Sequence, residues 1–173
     1  MRSALSRLLV VAASAVTVVS LAACTSVTSD DTAQRGPTTA VVVDADPRPV
    51  ADDPTPQLPV TVRSFDGADV TITDASRIVT ADRYGTLTET VFALGLGDKV
   101  VGRDTASGFP AAKEIPNITP GGQAMNAEAI LNLAPTVVLT DTSIGPKSVQ
   151  DQLRAAGVPV VFFDPTRTLE GVP

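Results

Sequence analysis

From residue 58 onward, short apolar runs rich in valine and isoleucine alternate with amphipathic stretches, and this alternation restricts the fold more than any other feature. Val60, Val62 and Phe65, then Val70 and Ile72, alternate around Asp66-Gly67-Ala68-Asp69, the pattern of a β-hairpin. Arg77-Ile78-Val79-Thr80 reads as a short strand. Residues 84–95 place Leu87, Val91 and Leu94 at helical spacing, with Phe92 beside them and Gly95 as the stop. Lys99-Val100-Val101-Gly102 is a second strand. After a loop rich in proline and glycine, Asn126 caps a short helix running to Leu133, and Pro135 marks its exit. Thr136-Val137-Val138-Leu139-Thr140 is a strand of the buried type, residues 147–156 a helix closed by Gly157, and residues 158–163 a further strand. Strands alternating with helices across short loops imply βαβ units, a mostly parallel sheet and right-handed crossovers. The expected fold class is α/β, one lobe over residues 58–173. At residues 168–173 a further helix is due, so the sheet is expected to carry an uncovered flank and the lobe to be the first half of a larger architecture.

Composition removes several functions. The 173 residues include no His, no Trp, one Tyr and one Cys. A histidine-bearing zinc site, a Ser-His-Asp triad and a Cys-His dyad each need a residue the chain lacks. The formal net charge is −6, and aromatic residues are scarce. Nucleic-acid binding is not expected, because it draws on clustered Lys/Arg and on aromatic faces for stacking. The chain reads as a binding or structural protein, not an enzyme.

The first 24 residues have the form of an export signal. Arg2 and Arg7 form a charged start, residues 8–22 an uncharged and largely apolar stretch, and Leu21-Ala22-Ala23 leads into Cys24, the only thiol. Fewer than the roughly 20 apolar residues that span a bilayer are present. Leu-Ala-Ala-Cys resembles a bacterial lipobox, which implies cleavage before Cys24 and acylation of its thiol. Buried acyl chains contribute about 0.8 kcal/mol per CH₂, so more than one gives durable anchoring. Residues 25–57 are rich in Thr, Ser, Asp and Pro, with Pro37, Pro47, Pro49, Pro54 and Pro56, and only Val41-Val42-Val43 interrupts the polar run. Residues 24–57 therefore read as a lipidated Cys followed by a disordered tether.

The order of segments resembles one family. Asp82-Arg83-Tyr84-Gly85, Thr90-Val91-Phe92-Ala93-Leu94-Gly95 and Val101-Gly102-Arg103-Asp104 stand where substrate-binding proteins of bacterial ABC importers have their first helix and second strand. Met125-Asn126-Ala127-Glu128-Ala129-Ile130-Leu131, followed by Ala134-Pro135-Thr136-Val137-Val138-Leu139, resembles their N-x-E-x-[IV]-L…P-x-[VL]-V segment. Gln152-Leu153 and then Gly157-Val158-Pro159-Val160 resembles the element that follows. The resemblance covers about residues 77–164 and points to the helical-backbone class that binds haem, ferric siderophores or cobalamin, most closely the haem-binding lipoproteins of actinobacteria. It implies two Rossmann-like lobes with ligand held between them. The implied partners are an ABC permease with its ATPase subunit, and the membrane through the lipid anchor. The chain has no Walker A sequence of its own, and Gly95-Leu96-Gly97-Asp98 reads as a helix end and not a dinucleotide loop.

The same resemblance, with the position of each residue, supplies the candidate site. Tyr84 opens the first helix beyond a strand's carboxyl end, the edge where open α/β sheets hold ligands. Arg103 follows the second strand and is a candidate partner for haem propionates, with a salt bridge to Asp104 as its structural alternative. Thr142 and Ser143 follow the third. Gln123 occupies the loop position where the actinobacterial haem binders offer an axial His, and an amide oxygen is a much poorer ligand for haem iron. Met125 is a soft candidate beside it, though a Met at this point is more often core. Glu128 is implied to dock on permease arginines, while an acid in a first helical turn is also explained by the helix dipole. No resident cofactor is implied; haem enters as cargo. The rival expectation is a truncated lipoprotein lobe without transport activity, an interaction module or degenerate product.

Overall fold

A computed structural model of the chain describes residues 45–51, 54–166 and 168. The expected export signal, Cys24 with its expected lipid, and most of the expected tether lie outside the described residues.

The hairpin forms where the alternation placed it. Strands β1 (Val60–Arg63) and β2 (Asp69–Ile72) pair antiparallel with Val62 opposite Val70. Gly67 takes φ 87° in the turn, and Thr61 and Thr71 share a hydroxyl hydrogen bond of 2.8 Å across the pair. The sheet proper contains β3 (Ile78–Ala81), β4 (Val100–Gly102), β5 (Val137–Asp141) and β6 (Val160–Phe163), all parallel and in the order β4-β3-β5-β6. Helices α1 (Thr86–Ala93), α2 (Ala127–Leu131) and α3 (Lys147–Ala155) lie in the crossovers. Asn126 caps α2 as expected, its Oδ1 accepting from the Ala129 N–H at 3.0 Å. The chain is α/β, with a parallel sheet sandwiched between layers.

Both faces are apolar, as a parallel sheet requires. On one face Val79, Val138 and Val160 pack with Ile130 of α2 and Leu153 of α3, all at 0% exposure. Ile78, Val100, Val137 and Val161 form the other, under Val91 of α1 and the hairpin residues Val62, Val70 and Ile72. The hairpin thus covers part of this second face. Its turn also meets the free edge of β6: the Phe65 N–H donates to the Phe162 carbonyl, and Ser64 Oγ accepts from the Phe162 N–H, each at 2.8 Å. A cavity of about 350 Å³ persists between Ile72, Leu139, Val161 and Phe163.

Part of the stretch expected to be tether lies on the lobe. Residues 45–51 lie against the lobe: the Val50 N–H donates to the Ala93 carbonyl at 2.7 Å, and Asp46 Oδ1 accepts from the Ala111 N–H at 2.7 Å. The reason is the orphan groups of helix ends. Ala93 closes α1 with a carbonyl that needs a donor, and Ala111 sits in the first turn of the 3₁₀ helix Pro110–Ala112 with an N–H that needs an acceptor. Composition alone does not count such partners.

Candidate functional site

In the order β4-β3-β5-β6, the connection leaving β3 runs to one side and that leaving β5 to the other. The carboxyl ends of these two neighbouring strands form a topological switch point, where open α/β sheets keep a crevice. Asp82-Arg83-Tyr84 follows β3 there, and Thr142-Ser143 follows Asp141, the last residue of β5. Two hydrogen bonds span the gap. The Arg83 N–H donates to Ser143 Oγ at 3.0 Å, and Arg83 Nε donates to the Ser143 carbonyl at 3.3 Å.

An aspartate shapes each loop of this crest. Asp82, fully buried, accepts from the N–H groups of Tyr84 at 3.2 Å, Thr86 at 3.2 Å and Leu87 at 3.1 Å, tying the loop to the start of α1. Asp104 is also buried. Its Oδ2 accepts from the Asp82 N–H at 3.3 Å and its Oδ1 from both the N–H and the hydroxyl of Ser107 at 2.9 Å. From Ser107 Oγ a hydroxyl chain runs to Thr88 at 2.6 Å and on to Thr80 at 2.8 Å. Asp141 receives the Ser143 N–H at 2.8 Å and its hydroxyl in a short bond. Burial raises the Asp104 carboxyl above its ordinary value of 3.8, helped by the neighbouring charge of Asp82 and opposed by the donors of Ser107 and Asp82. Among the described residues no buried side-chain nitrogen or oxygen lacks a hydrogen-bond partner.

The residues expected to bind ligand fall into three groups. Tyr84, Thr142 and Ser143 stand at the switch point; Tyr84 is 57% exposed, while the Ser143 hydroxyl is engaged by Asp141 and Arg83. Gln123 is exposed and lies beside the β5–α3 loop, its carbonyl accepting from the Gly145 N–H at 3.3 Å. Arg103 is tied to its own loop. In place of a salt bridge to the Asp104 carboxylate, its guanidinium donates to the carbonyls of Ala112 at 2.9 Å, Asp104 at 2.9 Å and Lys113 at 3.2 Å. The end of the 3₁₀ helix Pro110–Ala112 leaves carbonyls to satisfy, and the planar fork of an arginine serves them from one point. Met125 is core, 5% exposed. Glu128 is exposed in the first turn of α2. Sequence reasoning passed over Asp82, Asp104 and Asp141 as site builders, although an Asp within two residues of the end of each of the first three parallel strands is a legible signal.

Residues 83–172, just over half of the chain, match the family described as periplasmic binding protein. The chain belongs to the periplasmic binding protein family. Its fold superposes on a crystal structure of the heme binding protein HmuT with a TM-score of 0.72 and 48% identity, covering 75% of this chain and 42% of that one. Over 80 residues it is 39% identical to the vitamin B12-binding protein of Yersinia pestis (strain Pestoides F), which covers 46% of this chain and 28% of that protein. The chain thus spans well under half the length of these relatives. Both are named as binding proteins of the haem and vitamin B12 class that the N-x-E segment resembles. The matched residues contain Tyr84, Gln123, Glu128, Thr142 and Ser143, so the whole switch-point crest except Asp82 falls within the family match.

Proposed function

We propose that this chain supplies one ligand-gripping lobe of the solute-binding component of an ABC importer, with haem as the favoured cargo. The observation that carries the reading is the 48% identity to HmuT over 75% of the chain, at a TM-score of 0.72. The crest agrees with it chemically. A flat, largely apolar cargo calls for an aromatic face and a few fixed polar groups, and Tyr84 with the Arg83–Ser143 pair offers that combination at the switch point. Capture between this crest and a facing lobe would be followed by docking on a permease through Glu128, with acylated Cys24 holding the protein on the extracytoplasmic side of the membrane. The lobe binds and releases without chemistry.

A second reading keeps transport and replaces haem by a corrinoid. Gln123 favours it, because an imidazole is missing from the loop where haem iron would look for one. Parallel calorimetric titrations with haemin and with cyanocobalamin separate the two. Tighter binding of haemin supports the first reading, tighter binding of cyanocobalamin replaces it with the second, and heat from neither removes solute capture by this chain.

A further inference from the structure

Tyr84 presents an exposed ring at the switch point while its backbone is gripped on both sides. Before it, Arg83 is bonded twice to Ser143. After it, buried Gly85 has φ 77°, and a Cβ there would come within 3.1 Å of Ser107 Oγ. Beneath, Asp82 collects three backbone N–H groups, and Asp104 fixes Asp82 through its own N–H. Two carboxylates at 0% and 1% exposure are an expensive way to stabilise a loop. Each costs several kcal/mol of desolvation that hydrogen bonds must offset, and apolar side chains of similar size often serve stability as well. What the pair provides is geometry, since these bonds fix the course of residues 82–87 and of the neighbouring loop through Ser107.

We propose that Asp82 and Asp104 are positioning residues that hold the Tyr84 ring at the crest for contact with the cargo. This rests on reading the crest as the ligand face. Neither carboxylate touches the ligand; both act through the backbone on either side of Tyr84. Replacing Asp104 by Asn keeps its size but puts an NH₂ against either the Asp82 N–H or the two Ser107 donors, so one anchor must break.

The chain has a single Tyr and no Trp, so its tyrosine emission reports Tyr84 alone. The experiment compares the full chain with Asp104→Asn, Asp82→Asn and, as a remote control, Thr61→Ala. Ser107→Ala is the second route should the carboxylate variants fail to fold. Tyr84 anisotropy and acrylamide quenching are measured with far-ultraviolet circular dichroism, then haemin affinity from the Soret band. The expected result is lower anisotropy and stronger quenching at unchanged circular dichroism, with haemin half-saturation raised roughly tenfold, and no change in Thr61→Ala. Folded variants whose Tyr84 anisotropy and quenching equal those of the parent chain overturn the positioning role. A loosened Tyr84 with unchanged haemin affinity overturns its link to cargo. If the parent chain binds no haemin, it is the reading of the crest as a haem face that fails, and the fluorescence still decides whether the carboxylates position the ring.

Discussion

Arg154 Nη1 lies 2.5 Å from Asp66 Oδ2, joining helix α3 to the hairpin turn across 88 residues of sequence. The same guanidinium donates to the Val160 carbonyl at 2.8 Å and stacks over Phe162 at 5.1 Å from the ring centre. One side chain therefore fastens the hairpin, the helix and the edge strand.

The pair makes acid stability specific. Arg154 is the main cause holding the Asp66 carboxyl at about 2, below its ordinary 3.8. As pH falls, the unfolded chain takes up the proton first. The stabilisation is therefore complete above 3.8 and drains away between there and about 2. Water reaches both partners, which limits the contribution to on the order of 1 kcal/mol. Asp66→Asn is expected to lower stability at neutral pH by about that amount and to flatten the loss between pH 4 and pH 2 in urea unfolding curves. An unaltered acid slope in the variant would remove the bridge from the account.

Gly95 ends α1 at φ 79°, and a Cβ there would stand 2.5 Å from the Ala51 carbonyl oxygen and 2.9 Å from Pro54 Cδ. Gly95→Ala combines a left-handed backbone with a collision against the docked N-terminal segment, for a cost of about 1–3 kcal/mol. Limited proteolysis should then cut residues 45–57 faster in the variant than in the parent chain. Equal and rapid cleavage in both would mean that this segment is the free tether its composition describes.

How much was legible follows from which forces leave a local trace. The period-two pattern around Asp66-Gly67 and the buried-type run Thr136-Val137-Val138-Leu139-Thr140 fixed the hairpin and a central strand, because side-chain periodicity is written residue by residue. Strand order was not so written, and with it the location of the switch point between β3 and β5. It depends on pairings of residues some 60 apart, such as Ile78 with Val137. The loop partners of Arg103 were hidden for a related reason. An arginine after a strand offers the same donors to an anion or to its own loop, and the carbonyls of Ala112 and Lys113 that claim it lie on a segment with no periodic pattern. The docked stretch from Ala45 to Ala51 was hidden by its prolines and polar residues, which are as compatible with lying along a helix end as with solvent.

The docking role proposed for Glu128 can be separated from binding. It is exposed on the first turn of α2, whose one buried residue, Ile130, faces the core. Glu128→Ala should cost no more than about 0.3–1 kcal/mol, the value of an acid near a helix N-terminus, and should leave haemin affinity unchanged. Haem-dependent growth of cells carrying the variant should fall. Growth equal to that of the parent would take Glu128 out of the permease interface.

The central claim is that the crest of β3 and β5 is the cargo face, and its most direct test is a haemin titration of the chain followed simultaneously in the Soret band and in Tyr84 emission. The account predicts saturable quenching of Tyr84 that tracks a Soret change at micromolar haemin. It also predicts tighter binding with a further Soret shift in Gln123→His, which restores an imidazole to the neighbouring loop. A Soret change with Tyr84 emission untouched, or no saturable change in either signal, would contradict it.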